Sequence, residues 1–489
     1  MKLIINGNDY HYAFEQLIRV FMPDIKLEKI YNSPFQEGEF ILCETREKNA
    51  CIEITLQVNF SECKAYKSAT VYGDDLYKTG ELCACKMLYG VLQDYTGYTP
   101  QWGMQTGVRP TKILFNLLRN NDKEAAVNYL KEDLLISEKK TQLIKTVCEN
   151  EKAVMDSSDD TQFSLYVSIP FCPTRCAYCS FISHSYESIK KLIPDYVKAL
   201  CDEIREIATR TNELGLKLRT VYIGGGTPTV LSEKQLNAIF DEIKNDFDLS
   251  FLTECTVEAG RPDTLTQEKL LTLNNDLVTR ITINAQSFND DVLKKIGRNH
   301  TALEIHTAFE KARKLGFHNI NTDLIAGLEG ESVDSFVHSL NSAIALGAEN
   351  ITVHTLALKR SSFLITRDDA KGKIIADTTK MIDKANSLLS AAGYIPYYMY
   401  RQSKSVGNLE NTGWAKPGYI CEYNIFMMEE VQHVFGAGAG AVTRLVNPAQ
   451  GKIERIYNFK YPYEYLSGFN EMITRKQKAA NIIKNWQKP

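Results

Sequence analysis

Residues 171–181 read "FCPTRCAYCSF", and their three cysteines, spaced C-x3-C-x2-C, form a compact set of soft metal ligands. A structural zinc site closes a tetrahedron with four protein ligands, and three thiolates with no fourth cysteine nearby meet that need poorly. His184 could complete the set, so zinc stays open at this point. The alternative is a [4Fe-4S] cluster in which Cys172, Cys176 and Cys179 hold three irons and the fourth is left for an outside ligand. An open iron is what radical chemistry with S-adenosylmethionine requires. The amino-acid end of the cofactor chelates it, and one electron then breaks the sulfonium to give a deoxyadenosyl radical.

The elements around the triad bear on this choice. From about residue 160 to 358, short β-rich runs alternate with longer charged helical patterns. The runs are "SLYVSIPF", "LRTVYIGGG", "LTECTVEAG", "LVTRITINAQS", "NINTDLIAG" and "NITVHTLAL". Such alternation predicts parallel strands joined by right-handed crossovers. Eight units would close a barrel; six predict an open, partial (β/α)6 barrel, an α/β fold whose remaining side other segments must cover. The triad begins where the first strand ends, at the C-terminal mouth where such folds place their chemistry. Further polar and glycine-rich features fall on the same rim: "GGGTP" after the second strand, Glu258 at the end of the third, Gln286 at the end of the fourth, Asp323 in the fifth and Ala357 after the sixth. A bland reading stands beside each. Three glycines can simply turn, or they can let the backbone approach a ligand such as a methionyl amine. Taken alone, Glu258 reads as a solvated loop carboxylate and Arg298 as ordinary surface. Asp323 inside an apolar strand needs a partner such as a ribose hydroxyl or a cation.

The rest of the chain frames this region. With 489 residues, 44% hydrophobic and 24% charged, it is long enough for two or three domains with full cores. The predicted division is an N-terminal α+β domain over 1–158, the barrel over 159–365, and a mixed C-terminal segment over 366–489 that covers the barrel. Before the barrel, "FILCETREKNACIEITLQVNF" and "CKAYKSATVYG" read as strands, "KTGELCACKMLYGVLQDYTG" and residues 123–154 as helical, and polar "MDSSDDTQ" as the linker. The opening residues lack the pattern of a secretory signal, and no run of about 18 apolar residues predicts a membrane span. The expected location is the cytoplasm. The other nine of the twelve cysteines then read as reduced thiols, mostly core fillers, including the lone C-x-C of Cys83 and Cys85. A net charge of -3 gives no general pull toward nucleic acid or anionic membrane.

Taken together, "YVSIPFCPTRCAYCSF", "YIGGGTPT", "VEAGRPDT", "INAQSFNDDVLKKIGRNH" and "NTDLIAG" resemble the radical SAM family of oxygen-independent coproporphyrinogen III oxidases and their relatives. The N-terminal "WGMQTGVRPTKILFNLL" is similar to the HemZ branch, described as coproporphyrinogen dehydrogenase or oxidase-like. The resemblance implies roles position by position. Tyr166 is expected near the cluster, Cys172, Cys176 and Cys179 as its ligands, and Tyr178 and Ser180 beside the cofactor. Gly225, Gly226 and Thr227 would grip S-adenosylmethionine, Glu258, Gln286, Arg298 and Asp323 would make polar contacts to one or two cofactor molecules, and Ala357 and Val442 would pack near adenine.

In the reaction of that family the radical takes a hydrogen from the β-carbon of a propionate on coproporphyrinogen III. The substrate then loses carbon dioxide and an electron and keeps a vinyl group. Such a reaction needs an electron donor such as flavodoxin or ferredoxin, and an acceptor. Arginine is the expected reader of the substrate's carboxylates, with Arg109 in "TGVRPT" a candidate beside its reading as a solvated residue before a helix. The chain departs from the family pattern twice. The oxidases carry a further cysteine where Phe181 stands, and the haem chaperones carry His-Asn-x-x-Tyr-Trp where residues 423–428, "YNIFMM", keep only the asparagine. Three activities follow as expectations: a porphyrinogen oxidase, a haem-binding carrier, and a radical SAM enzyme acting on haem.

Overall fold

The computed structural model describes residues 1–33, 37–120, 122–179, 184–357, 371–402, 404–448 and 450–487. They form two compact units: residues 1–145 with 401–409, and residues 146–400 with 410–489. The division falls inside the helix Glu138–Asp156 rather than in the polar run 155–162.

In the first unit, strands β1 (Lys2–Asn6), β2 (Glu28–Tyr31), β3 (Phe40–Lys48), β4 (Cys51–Asn59) and β5 (Lys64–Tyr72) pair in the order β2-β1-β3-β4-β5. β4 alternates buried and half-buried residues, the period-2 signature of a sheet with one covered face. The cover is two helices, His11–Phe21 and Leu76–Thr96. Phe14, Leu17, Ile18, Ala84, Leu88 and Leu92 meet Ile52, Ile54 and Leu56 in one apolar core. The stretch 123–154, expected as helical, is so apart from a break after Asp133. Leu135 takes a positive φ of 56° and the chain restarts at Glu138, because the Gly103 backbone lies against the carbonyls of Leu134 and Leu135.

The second unit holds the predicted α/β core. Strands β6 (Gln162–Ile169), β9 (Lys217–Gly225), β10 (Glu254–Gly260), β11 (Arg280–Ile283), β12 (Ile320–Ala326) and β13 (Asn350–Thr355) lie side by side in chain order, every neighbouring pair parallel. Between β6 and β9, the short pair β7 (Phe171–Cys172) and β8 (His184–Ser185) carries the first cysteine. Amphipathic helices cover the outside. Ile193–Glu213 buries Tyr196, Leu200, Ile204 and Ile207, and capping boxes at Ser232 and Thr301 start two others.

The C-terminal segment does more than cover this core; it extends the sheet at both edges. β14 (Ile395–Arg401) and β15 (Glu410–Ala415) add beyond β13, with β15 antiparallel to it. β16 (His433–Ala437) runs parallel to β6, and β17 (Val442–Asn447) and β18 (Lys452–Tyr457) follow. Eleven strands thus form one mixed sheet among the described residues, and no parallel strand is left with a bare edge.

Candidate active site

The strands β6, β10, β12 and β13 are buried except at one position each and β9 except at four, and the half-buried side chains within them include Tyr166, Tyr222, Glu258, Asp323 and His354. Alternation along a strand sends these to the inner face. Tyr166 stacks on both Tyr222 and Tyr423 with ring centroids 6.3 Å apart, and Tyr222 lies 4.6 Å from Tyr423 at 22°. Tyr423 stands at the start of the helix Glu422–Glu429. That helix is pinned to β10, since Glu254 accepts from the N–H groups of Glu422 and Tyr423 at 3.1 and 2.8 Å while paired with buried Arg280 at 3.0 Å.

Two carboxyl groups face this aromatic wall and differ in charge state. The Tyr222 hydroxyl donates to Glu258 Oε1 at 2.7 Å. Burial, reinforced by the charge of Asp323, pushes the Glu258 carboxyl up to about 7. For Asp323, burial works in the same direction but is outweighed by His354, Asn321 and Thr352, so its pKa lies below the usual range and it stays ionised. Asn321 Nδ2 donates to Asp323 Oδ1 at 2.9 Å, and His354 Nε2 lies 3.8 Å from Oδ2. Glu258 is therefore no solvated loop residue: it belongs to β10 and is enclosed.

The cysteine loop is fixed from two sides. On one, the glycine run of β9 closes against it. Gly226 N–H donates to Ile169 O at 2.8 Å, Thr227 N–H to Phe171 O at 2.7 Å, and the Thr227 hydroxyl contacts Cys172 Sγ at 3.6 Å. A side chain at Gly224 would lie 2.9 Å from Glu258 Oε1, one at Gly226 would strike the Phe171 backbone, and Gly225 has a φ of +112°. The close approach these glycines make is to the protein's own cysteine-bearing segment and to Glu258. On the other side, Ala177 N–H donates to Ile296 O at 3.0 Å, and the Arg298 guanidinium donates to the Tyr178 hydroxyl at 3.0 Å. Arg298, which sequence alone left as ordinary surface, is half-buried here with its Nε buried and unpartnered among the described residues. Burial opposes its charge, yet Tyr178 and Cys176 hold its pKa up.

The remaining expected residues spread along the same rim. Gln286, just after β11, takes a φ of 66°, rare outside glycine, and bonds to β12 through Asp323 O at 2.7 Å and the Ile325 N–H at 3.0 Å. Ala357 follows β13 and is half-buried. Val442 opens β17, and its carbonyl lies against Gly436, which pairs with Tyr166 across β16 and β6. Ser180 and Phe181 lie outside the described residues, as does the side chain of His184, the suggested fourth zinc ligand. Arg109 belongs to the other unit. Sequence reasoning missed Tyr222, His354 and Tyr423. The signal for the first two was present, since polar residues at alternate positions of an otherwise apolar run mark the inner face; nothing local marked Tyr423.

These residues suit an iron-sulfur cluster better than a single ion. Three thiols share one loop, and a cationic guanidinium with an orphaned donor stands beside them. No helix among the described residues is long and apolar enough to cross a membrane.

Comparison with known proteins agrees with this geometry. The profile of the Radical SAM superfamily matches residues 166–343. The chain is 40% identical over 399 residues to the oxygen-independent coproporphyrinogen-III oxidase-like protein HemZ of Bacillus subtilis (strain 168), spanning 80% of this chain and 79% of that protein. It is 35% identical over 312 residues to the heme chaperone HemW of the same organism, spanning 61% of this chain and 77% of that one. The solved structure of coproporphyrinogen III oxidase (HemN) from Escherichia coli superposes with a TM-score of 0.49 at 20% identity, over 66% of this chain and 72% of that chain. With the cysteine loop at the mouth of six parallel strands and a relative matched over four-fifths of its length, the chain belongs to the radical SAM superfamily, among the HemZ-type oxygen-independent coproporphyrinogen-III oxidase-like proteins, a membership that implies a [4Fe-4S] cluster and S-adenosylmethionine.

Proposed function

We propose that this protein is a cytoplasmic radical SAM oxidoreductase that decarboxylates propionate side chains of a porphyrinogen to vinyl groups without oxygen, as a step of haem or porphyrin biosynthesis. Cys172, Cys176 and Cys179 would hold the cluster. When bound, the cluster and S-adenosylmethionine supply a carbon-centred radical that removes one hydrogen atom from the substrate. Gly225, Gly226 and Thr227 present backbone at the cysteine loop, Tyr178 and Arg298 border it, and the family resemblance assigns Ser180, Gln286, Ala357 and Val442 as further cofactor contacts. Ionised Asp323 suits ribose hydroxyls or an ammonium group, and Glu258, near its midpoint at neutral pH, can either accept or donate a hydrogen bond. The substrate propionate gives up a β-hydrogen, carbon dioxide and one further electron, so both a donor protein such as flavodoxin or ferredoxin and an electron acceptor are required.

The observation that carries this reading is the pairing of a cysteine loop braced on both sides with a polar interior bordered by half-buried Tyr166 and Tyr222, flat rings backed by buried Tyr423 and suited to a large planar or cup-shaped ligand. The likeness to HemW supports a second reading, a haem carrier. Against it, Asn424, which the chain keeps from the chaperone motif, donates to the Tyr397 hydroxyl at 3.0 Å and is already engaged within the protein.

The test is anaerobic incubation of reconstituted, reduced protein with S-adenosylmethionine and coproporphyrinogen III, following 5′-deoxyadenosine and protoporphyrinogen by mass. Coupled formation of both is the expected result. Deoxyadenosine that forms only with haem, together with haem consumption, moves the substrate to haem. Stoichiometric haem binding without turnover selects the carrier.

A further inference from the structure

One buried arginine beside the cysteine loop has no role in the reading above. Arg261 follows β10, and its side chain is 3% exposed. Asp263 grips it through two parallel bonds, Nε to Oδ1 at 2.9 Å and Nη2 to Oδ2 at 2.8 Å. A bidentate carboxylate fixes the plane of a guanidinium and aims its Nη1 edge away from the carboxylate. That edge donates to Thr174, to the hydroxyl at 2.8 Å and to the carbonyl at 3.3 Å. Thr174 is the middle of the three residues that separate Cys172 from Cys176. Its hydroxyl also reaches the Gly297 carbonyl at 3.4 Å, one residue before Arg298.

We propose that Arg261, aimed by Asp263, is a positioning residue that sets the geometry of the Cys172–Cys176 spacer and so the retention of the cluster, an inference that rests on the assignment of this loop as the cluster site. Two arginines divide the loop between them: Arg261 holds the first spacer through Thr174, and Arg298 the second through Tyr178. They differ in charge balance. Arg261 is neutralised at contact by Asp263, so it contributes shape with little net field, whereas Arg298 donates to two neutral groups, the Asn284 carbonyl and the Tyr178 hydroxyl. With the spacer clamped, the first two thiols are held at fixed separation before any iron arrives, which is preorganisation of the ligand set.

The experiment compares the whole protein with the charge-neutral double variant Arg261→Met/Asp263→Asn, with Arg261→Lys and with Thr174→Val, after anaerobic reconstitution. The readouts are iron and sulfide per chain, the rate at which a chelator bleaches the visible absorbance, the line shape of the reduced cluster in electron paramagnetic resonance, and the thermal midpoint of the metal-free form. The double variant is expected to lose its cluster roughly tenfold faster, the equivalent of one hydrogen bond to a charged group, with an altered line shape. Arg261→Lys should recover part of that retention. Thr174→Val, which removes the hydroxyl and leaves Arg261 its longer bond to the Thr174 carbonyl, should accelerate loss about threefold at an unchanged thermal midpoint, a partial release of the clamp. If the double variant does not fold, the threonine variant decides alone. Wild-type loss rates and line shapes in the variants that fold would overturn the inference. Cys176→Ala run alongside separates the two levels: a full cluster signal there removes the ligand assignment itself, whereas its loss together with unaltered Arg261 and Thr174 variants removes only the clamp.

Discussion

Cysteines gather in two places in this chain, and their surroundings could hardly differ more. In the first unit, Cys43 on β3 and the C-x-C of Cys83 and Cys85 sit within one apolar core, Cys43 with no exposure and Cys85 at 8%. Burial, with Glu44 nearby, pushes the Cys43 thiol up to about 12, and burial raises Cys85 as well. In the second unit, Cys172, Cys176 and Cys179 lie on a loop whose neighbours are the Arg298 guanidinium and a hydroxyl from Thr227. A cysteine packed among apolar side chains fills a core, whereas three on one polar loop, braced by neighbouring donors, can act as a ligand set. Spacing names the candidates; environment separates them.

The comparison breaks most directly at the ligands. Cys176→Ala should abolish the cluster and cofactor cleavage completely, while Cys85→Ala should leave iron content unchanged and cost about 1 kcal/mol of stability, the scale of a small buried truncation. Equal iron loss in both would erase the distinction between the regions. A second measure is native alkylation of the metal-free protein at pH 8, read by peptide mass. A thiol with a pKa of about 12 is ionised to only about one part in ten thousand at that pH, so Cys43 should label at least a hundredfold more slowly than the exposed thiol of a reference cysteine peptide of ordinary pKa. Comparable rates would mean that burial is not what protects the first set.

Two smaller effects sharpen the second region. Arg298→Met should weaken S-adenosylmethionine binding to the reconstituted protein about tenfold, as for loss of one charged hydrogen bond, measured by titration calorimetry; an unchanged affinity would confine Arg298 to bracing Tyr178. Glu258 supplies a pH signature. Its folded pKa of about 7 lies above the ordinary 4.5, so between those values the native state keeps a proton that the unfolded chain has released. Stability therefore falls as pH rises from about 4.5 to about 7 and levels off above. In Glu258→Gln that contribution should vanish, and parallel thermal midpoints of the two metal-free proteins across this range would show that Glu258 titrates normally.

Much of the second unit is legible in the sequence because each parallel strand is an apolar run bounded by turns and followed by a helical pattern. All six predicted runs are strands, and Asp323, Gln286 and the glycine run fall where the rim predicts. Less legible are elements whose partners lie far away in the chain. β16 reads as a short apolar stretch, and only its pairing of Phe435 with Leu165 makes it the neighbour of β6. Likewise the break after Asp133 depends on the backbone packed around Gly103, which no helix propensity contains.

By itself, then, the sequence determined the candidate cysteine triad, the six-strand α/β core and the family to which both belong, since these depend on residue type and local period. Tertiary structure alone decided which polar residues are enclosed and what each one holds. Arg298 and Arg261 stand 119 and 85 residues beyond Cys179 and Cys176, as their numbers show, yet they bond to Tyr178 and Thr174 on the same short loop. Glu258 acquires its raised pKa from the enclosure that β9 and β12 create around it. Hydrogen bonding and desolvation act through space over a few ångströms, and only the folded chain brings such distant residues within that range.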